Sequence, residues 1–349
     1  GYAQITRRVL KKFYDEDEVT LDALHRMEER LLDLEDETTF EAILDEAKIA
    51  VRLADVWPDV KQVLGGKYEL TPRARLVIPL PAYHRIRDYM GVQELVTPLG
   101  RTVTNLDEYI DACREIFEGF KAYGAVAFKD QSAYFRSLNY SNPTRAEAEK
   151  VFNWFMEDPL RSVSYPDGAQ PLDDYLFHAF MRMARDMDLP VQVHTGPPAG
   201  LYGDITKANA AGLANLLMLH RDVRFDLFHA NWPYSGEILF LCKAYPNVAL
   251  DFCWTNVIDP VYCQNLFRQA LSSVPHSKIH GYGSDFGGFG YAPGGYVDRA
   301  WAHAQIAREN MAIALSDMVE LEYLSLDEAK EVAYAWLFSN ANEFYQLGL

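Results

Sequence analysis

Four residues in this chain can do chemistry from the ends of apolar runs: Lys129 in "GAVAFKD", His194 in "LPVQVHTG", His229 in "VRFDLFHA" and Asp285 in "KIHGYGSDFGG". Imidazole and carboxylate suit a divalent ion, zinc first and manganese second, and an ion with an open position lowers the pKa of a bound water toward neutrality. Asp285 could take that water's proton, ligate the ion, or do both. The glycines flanking it let backbone approach a substrate closely. A lone histidine at such a place is more often hydrogen-bonded structure. Four such residues at equivalent ends of parallel strands would converge on one mouth, and that convergence is the physical argument.

The elements that must position them are short apolar runs alternating with helical patterns. The runs are "AKIAVRLAD" (47–55), "ARLVIPL" (74–80), "GAVAFKD" (124–130), "LPVQVHTG" (189–196), "VRFDLFHA" (223–230), "NVALDFCW" (247–254) and "KIHGYGS" (278–284). Most are nearly continuous rather than alternating, the pattern of strands buried on both faces of a parallel sheet. Between them, Leu176, Ala179, Phe180, Met183, Ala184 and Met187 make one helical stripe. A capping box from Ser325 to Glu328 opens a last helix with Val332, Ala333, Trp336 and Leu337 on one face. Such alternation gives a doubly wound sheet or a (β/α)8 TIM barrel, and the number of runs favours the barrel. Seven runs, and a start at Gly1 rather than Met, lead to the expectation that the first strand precedes this chain. One domain over residues 1–349 is expected, with a helical segment over about 1–46.

Composition narrows the function. With 49% hydrophobic and 13% aromatic residues the chain can bury a large core, and its formal net charge of −17 disfavours nucleic acid and anionic membrane as partners. Cys113, Cys242, Cys253 and Cys263 form no CxxC pair, which suits free thiols in a reducing, cytoplasmic setting. No apolar run approaches the roughly 20 residues that span a bilayer, and the first residues do not read as a signal peptide. Phosphate-loop, dinucleotide-binding, HExxH and GxSxG motifs are absent. "GGFGYAPGG" (287–295) reads as a flexible loop beside the mouth, a candidate lid.

Taken as an ordered set, "AFKD", "VQVHTG", "FDLFHANWP" and "GYGSDFGG" resemble the amidohydrolase superfamily, in its amidohydrolase-related branch. That branch includes decarboxylases, lactone hydrolases and the amidohydrolase domain fused to some glutamine-synthetase-like proteins. The resemblance implies that His194 is the fifth-strand metal histidine, His229 the sixth-strand histidine and Asp285 the eighth-strand aspartate. It makes Lys129 a candidate for the carbamylated lysine that bridges the ions of two-metal members. Single-metal members need no such lysine, so one ion or two stays open. The family's first strand ends in His-x-His, and no His-x-His occurs in these residues.

Each residue also has a plainer reading. Lys129 could be solvated and paired with its neighbour Asp130, and Asp285 could be a turn residue. Arg136 and Tyr134 could clamp a substrate carboxylate, or Arg136 could form a loop salt bridge. Trp232 could line a pocket or pack in the core. His25, His178, His276 and His280 look incidental, and His303 and Glu309 have no assigned role. The leading expectation is a metal-dependent hydrolase cleaving a C–N or C–O bond of a small polar or carboxylated metabolite, with Asp285 shuttling the proton and His229 steadying the oxyanion. A decarboxylase or lyase on the same site is the second. The third is a barrel without catalysis, supported by the missing His-x-His. A homo-oligomer is implied by the resemblance alone.

Overall fold

Every one of the seven apolar runs contains a strand: β1 (Arg52–Ala54), β2 (Ala74–Pro79), β3 (Ala127–Asp130), β4 (Val191–Val193), β5 (Phe225–Leu227), β6 (Val248–Asp251) and β7 (Ile279–His280). The structure is a computed structural model that describes residues 1–286 and 296–349. The glycine-rich stretch read above as a lid lies outside the described residues. The result is an α/β fold of parallel strands separated by helices. The chain divides into two compact units, the larger made of Leu53–Tyr68, Arg75–Ala249 and Phe344–Leu349, the smaller of Gly1–Arg52, Glu69–Ala74 and Leu250–Glu343.

In the larger unit β2, β3, β4 and β5 pair in parallel, each with the next. Parallel pairing brings all their carboxyl ends to one edge of the sheet, where the loops after each strand meet. The register places Lys129 beside Gln192 and Gln192 beside Asp226. In-register residues share a face, so these three form one polar layer. Gln192 Nε2 donates to the Tyr345 hydroxyl at 3.1 Å, and that hydroxyl donates to Asp226 Oδ2. The opposite face is apolar: the Phe128 ring lies edge-on to Phe117 at 5.1 Å, and Phe117 to Phe180 at the same distance. Phe117 belongs to the helix Leu106–Tyr123, capped by Asn105 and ended by Gly124 at φ 112°, a conformation that favours glycine. Phe180 belongs to the helix Gln170–Asp186, whose predicted stripe is buried.

In the smaller unit β6 pairs with β7 in parallel, Asp251 opposite His280. The helices Tyr2–Tyr14, Leu21–Glu28 and Glu37–Ala47 account for the first part of the chain. Ile5, Val9, Leu10 and Tyr14 pack with Val257, Ala302 and Ile306, burying the apolar face of the first helix against the long helix Val297–Glu320. The Ser325–Glu328 capping box forms as the sequence predicts and starts the helix Leu326–Tyr334. None of the four cysteines is in a disulfide, and all are buried. Among the described residues no helix is long and apolar enough to cross a membrane.

Candidate active site

The larger unit brings two of the predicted residues into contact. His194 is the first residue after β4 and His229 the second after β5, so the parallel strands deliver both to the same edge. Their rings are 4.3 Å apart, with His229 Nε2 2.9 Å from His194 Nδ1. His194 Nε2 lies 3.2 Å from the Pro197 carbonyl. That oxygen can only accept, so Nε2 carries the proton and Nδ1 accepts from His229. Both residues are buried, His229 completely. Burial pushes the pKa of His194 well below the ordinary histidine value, and the nearby charges of His229 and Lys129 push it further the same way. His194 is therefore a neutral imidazole near neutral pH, the form that ligates metals.

The backbone that presents His229 is strained. His229, Ala230 and Asn231 all have left-handed φ, 64°, 46° and 50°, which costs non-glycine residues about 1–3 kcal/mol each. The turn is held by contacts the sequence supplies. Asn231 Oδ1 accepts from the Ala210 amide at 2.8 Å and Nδ2 donates to the Tyr234 carbonyl at 3.0 Å. The Thr195 hydroxyl donates to the Phe228 carbonyl at 2.6 Å. Gly196, at φ 70°, allows the two loops to touch: a Cβ there would meet the backbone N and O of Trp232 at 2.8 Å. Trp232 thus helps to lock the turn through its main chain, while its side chain is partly exposed.

Tyr134 follows β3, its ring 4.7 Å from that of His194, and its hydroxyl accepts from the Ala199 amide at 3.1 Å. It is 39% exposed, so it is open to a ligand. Lys129 is buried, with Nζ 3.5 Å from the centre of the Phe228 ring. It is not the solvated partner of Asp130. Successive residues of a strand face opposite ways, and Asp130 points to the other side of β3.

Arg136 has the structural one of its two expected roles. Its Nη1 donates to Asp173 Oδ2 at 3.1 Å and to Asp174 Oδ1, Nη2 donates to the Asn139 carbonyl and Nε to the Ser137 carbonyl. Every guanidinium nitrogen is engaged and the residue is buried, which corrects its reading as a substrate clamp. It belongs to a cluster that the sequence did not reveal. His84 Nδ1 bonds Asp173 Oδ1, and His84 Nε2 faces Asp130 Oδ1 at 3.6 Å. Ser132 Oγ donates to Asp130 Oδ1 at 2.6 Å, and the Tyr140 hydroxyl to Asp130 Oδ2 at 2.9 Å. Burial would lower the pKa of His84, but Asp173 and Asp130 override it and raise it to about 9. Ser132, His84 and Asp173 are ordered like a nucleophilic triad. None of the three is exposed and Ser132 donates to Asp130, so the order serves structure.

In the smaller unit Asp285 is exposed and itself takes a left-handed φ of 53°, five residues beyond His280, where β7 ends. The glycines before it answer to close packing: a Cβ at Gly281 would meet Met311 at 2.4 Å, and one at Gly283 would meet Cys253 Sγ at 2.7 Å. The residue that closes β7 is the buried His280, with Nδ1 3.8 Å from Asp251 Oδ2. The strand-end rule that picked out His194 would have found both. His303, also buried, donates from Nδ1–H to the Ser284 carbonyl at 3.1 Å. His178 pairs with His220, Nδ1 to Nε2 at 2.7 Å, rather than standing alone on its helix.

These features have counterparts in known proteins. A family model described as amidohydrolase matches residues 158–347, more than half of the chain. The chain belongs to that family. Among curated proteins it is similar to Protein fluG of Emericella nidulans, 25% identical over 237 residues, which are 64% of this chain and 26% of that protein. The chain therefore spans about a quarter of that relative. Among solved structures it resembles the glucuronate isomerase of Caulobacter crescentus, with a TM-score of 0.76 at 17% identity, covering 100% of this chain and 75% of that one. It also resembles the uronate isomerase of Thermotoga maritima, with a TM-score of 0.74 at 14% identity over 98% and 78% of the two chains. A Lactobacillus casei protein assigned as a metal-dependent hydrolase matches with a TM-score of 0.69 at 17% identity over 99% and 84%. At these identities the structures speak for a shared, TIM-barrel-like fold.

Proposed function

We propose that this chain is a metal-dependent enzyme of amidohydrolase type that hydrolyses a C–N or C–O bond of a small polar or carboxylated metabolite. The observation that carries the reading is the buried His194–His229 pair, whose 2.9 Å hydrogen bond joins the two nitrogens that an ion would take. The neutral state of His194 and the strained turn that aims His229 fit a divalent ion. Zinc is the first choice by ligand chemistry and manganese the second; the place of Lys129 and Asp285 among the ligands rests on the family resemblance. When bound, such an ion supplies an activated water and polarises a carbonyl.

The chain's own residues do the rest. His229, held by the Asn231 and Thr195 contacts, keeps one ring orientation, which suits its Nε2 either to hold the ion beside His194 or, where the ion is held without it, to donate to a developing oxyanion. Tyr134 covers one side of His194 and restricts water there. Lys129, buried over Phe228, brings positive charge to the edge where an anionic substrate would be drawn. The test is metal analysis of the purified protein with His194→Gln and His229→Gln beside it. Bound divalent metal that each substitution strips away is expected. Absence of metal with both histidines intact refutes the reading, and product analysis on a carboxylate library separates hydrolysis from decarboxylation.

A further inference from the structure

With Arg136 committed to Asp173 and Asp174, a different arginine is left facing the same edge of the sheet. Arg85 follows β2, and the parallel pairing of β2 to β5 puts it at the edge that carries Tyr134, His194 and His229. Its guanidinium lies 3.5 Å from the centre of the Phe135 ring and 5.0 Å from that of Tyr165. Phe135 is 42% exposed and adjoins Tyr134, whose ring reaches His194. Arg85 also lines an open groove of about 370 Å³ together with Ile86, Arg87, Asp88, Glu94 and Leu95.

Arg85 is unusual for what it lacks. Its Nε is buried without a hydrogen-bond partner, and among the described residues no carboxylate pairs with it. The remaining residues, 287–295, contain no Asp or Glu. In a chain with a net charge of −17, where acids outnumber bases, a partly buried unpaired guanidinium is a costly arrangement. Aromatic faces offset part of that cost but leave the planar fork of donors unsatisfied. The neighbouring His84, tied to Asp173 and facing Asp130, fixes the loop so that the fork is held in place before any ligand arrives.

We infer that Arg85 is the anion-recognising residue of this face and that it binds the carboxylate of a small molecule whose apolar or flat body rests on Phe135 and Tyr134. One guanidinium matches one carboxylate in a two-pronged pair. The chain's negative charge works against multiply charged anions such as phosphate. This deepens the reading of the site as one for carboxylated metabolites and rests on it for the identity of the bound molecule as substrate. It does not require metal or turnover.

The experiment is calorimetric titration of the full chain, stripped of metal by chelator, with benzoate, the neutral benzamide and inorganic phosphate. Arg85→Gln, Arg85→Lys and the control Arg185→Gln, at an exposed arginine paired with Asp186, are titrated beside the wild type. Benzoate affinity is expected to fall about 30-fold in Arg85→Gln, as loss of a charge-assisted pair implies, and less in Arg85→Lys. Benzamide binding should change little, and Arg185→Gln should bind benzoate as the wild type does. Benzoate binding that is absent from the wild type, or equal in Arg85→Gln, overturns the inference, and phosphate binding as tightly as benzoate overturns the ligand class. The His194→Gln/His229→Gln double variant should keep benzoate binding whatever its metal content, so the two readings fail separately.

Discussion

Replacing Asp173 with asparagine removes one charge from the cluster behind β3 and tests whether that cluster holds the site in place. Asp173 accepts from His84 through Oδ1 and from Arg136 through Oδ2, and it is wholly buried. Removing one member of a buried ion pair costs about 3–5 kcal/mol, because the remaining charges stay buried. The pH dependence makes the test specific. His84 rises from 6.5 to about 9 in the folded protein, which at about 1.4 kcal/mol for each pH unit is about 3 kcal/mol of stability. A raised folded pKa contributes fully below the unfolded value of about 6.5 and is lost as pH climbs through about 9. Urea unfolding of wild type and Asp173→Asn at pH 7 should therefore differ by about 3–5 kcal/mol, and the difference should narrow by up to about 3 kcal/mol at pH 10. Other alkaline titrations occur in both proteins and cancel in the comparison. A loss below about 1 kcal/mol at pH 7, or a loss equal at both pH values, refutes the account of His84 as a buried imidazolium held by Asp173.

Two further outcomes follow from the same geometry. Gly196→Ala combines a left-handed φ with a Cβ 2.8 Å from the Trp232 backbone, so a loss of about 2–4 kcal/mol and weakened metal retention are expected, checked by thermal unfolding and metal analysis. An unchanged melting temperature would mean that the loops can part freely. Acid should destabilise the fold well before carboxylates protonate: burial, joined by the charge of His178, lowers His220 to about 4, and burial lowers His303 to about 3. A lowered folded pKa gives stability that is complete above about 6.5 and is lost as pH falls toward those values. At pH 5 the two histidines together remove about 3 kcal/mol, the share of His220 being reduced by solvent screening, and denaturant midpoints that stay level from pH 7 to pH 5 would contradict this.

How much of this was legible in the sequence follows from the range of the interactions. Each apolar run became a strand because burial on both faces of a parallel sheet leaves a local signature. The His194–His229 pair was also readable, since parallel strands bring equivalent ends together wherever they lie in the chain. The charged cluster was not. His84 and Asp173 are 89 residues apart. Asp173 also looks like an ordinary acid in the first turn of a helix, where the dipole favours it in solvent. Arg136 had two readings of equal standing until its partners on that helix were in view. Asp285 was taken for the end of the last strand because "KIHGYGS" looks continuous. The strand stops at His280, and Gly281 and Gly283 are shaped by Met311, Trp336 and Cys253, contacts no local pattern encodes.

The two faces of β3 show why a structural cluster and a chemical site can be one residue apart. Asp130 turns toward His84, Ser132 and Tyr140, where both of its carboxylate oxygens have a donor. Lys129 turns the other way, to the side where its charge acts on His194. On that side three successive left-handed residues hold His229 against His194, although glycines in their place would relieve the strain at no cost to the sheet. Strain of that size persists only where surrounding contacts over-determine it, and here Asn231, Thr195 and Gly196 do so. Such contacts are superfluous for closing a loop but necessary for aiming an imidazole. The buried salt network then has a second consequence: by pinning His84 and Arg136 it anchors the loops that carry Arg85, Tyr134 and Phe135. Rigid support on one face of the strand is what allows a strained His229 to keep its geometry against His194 on the other.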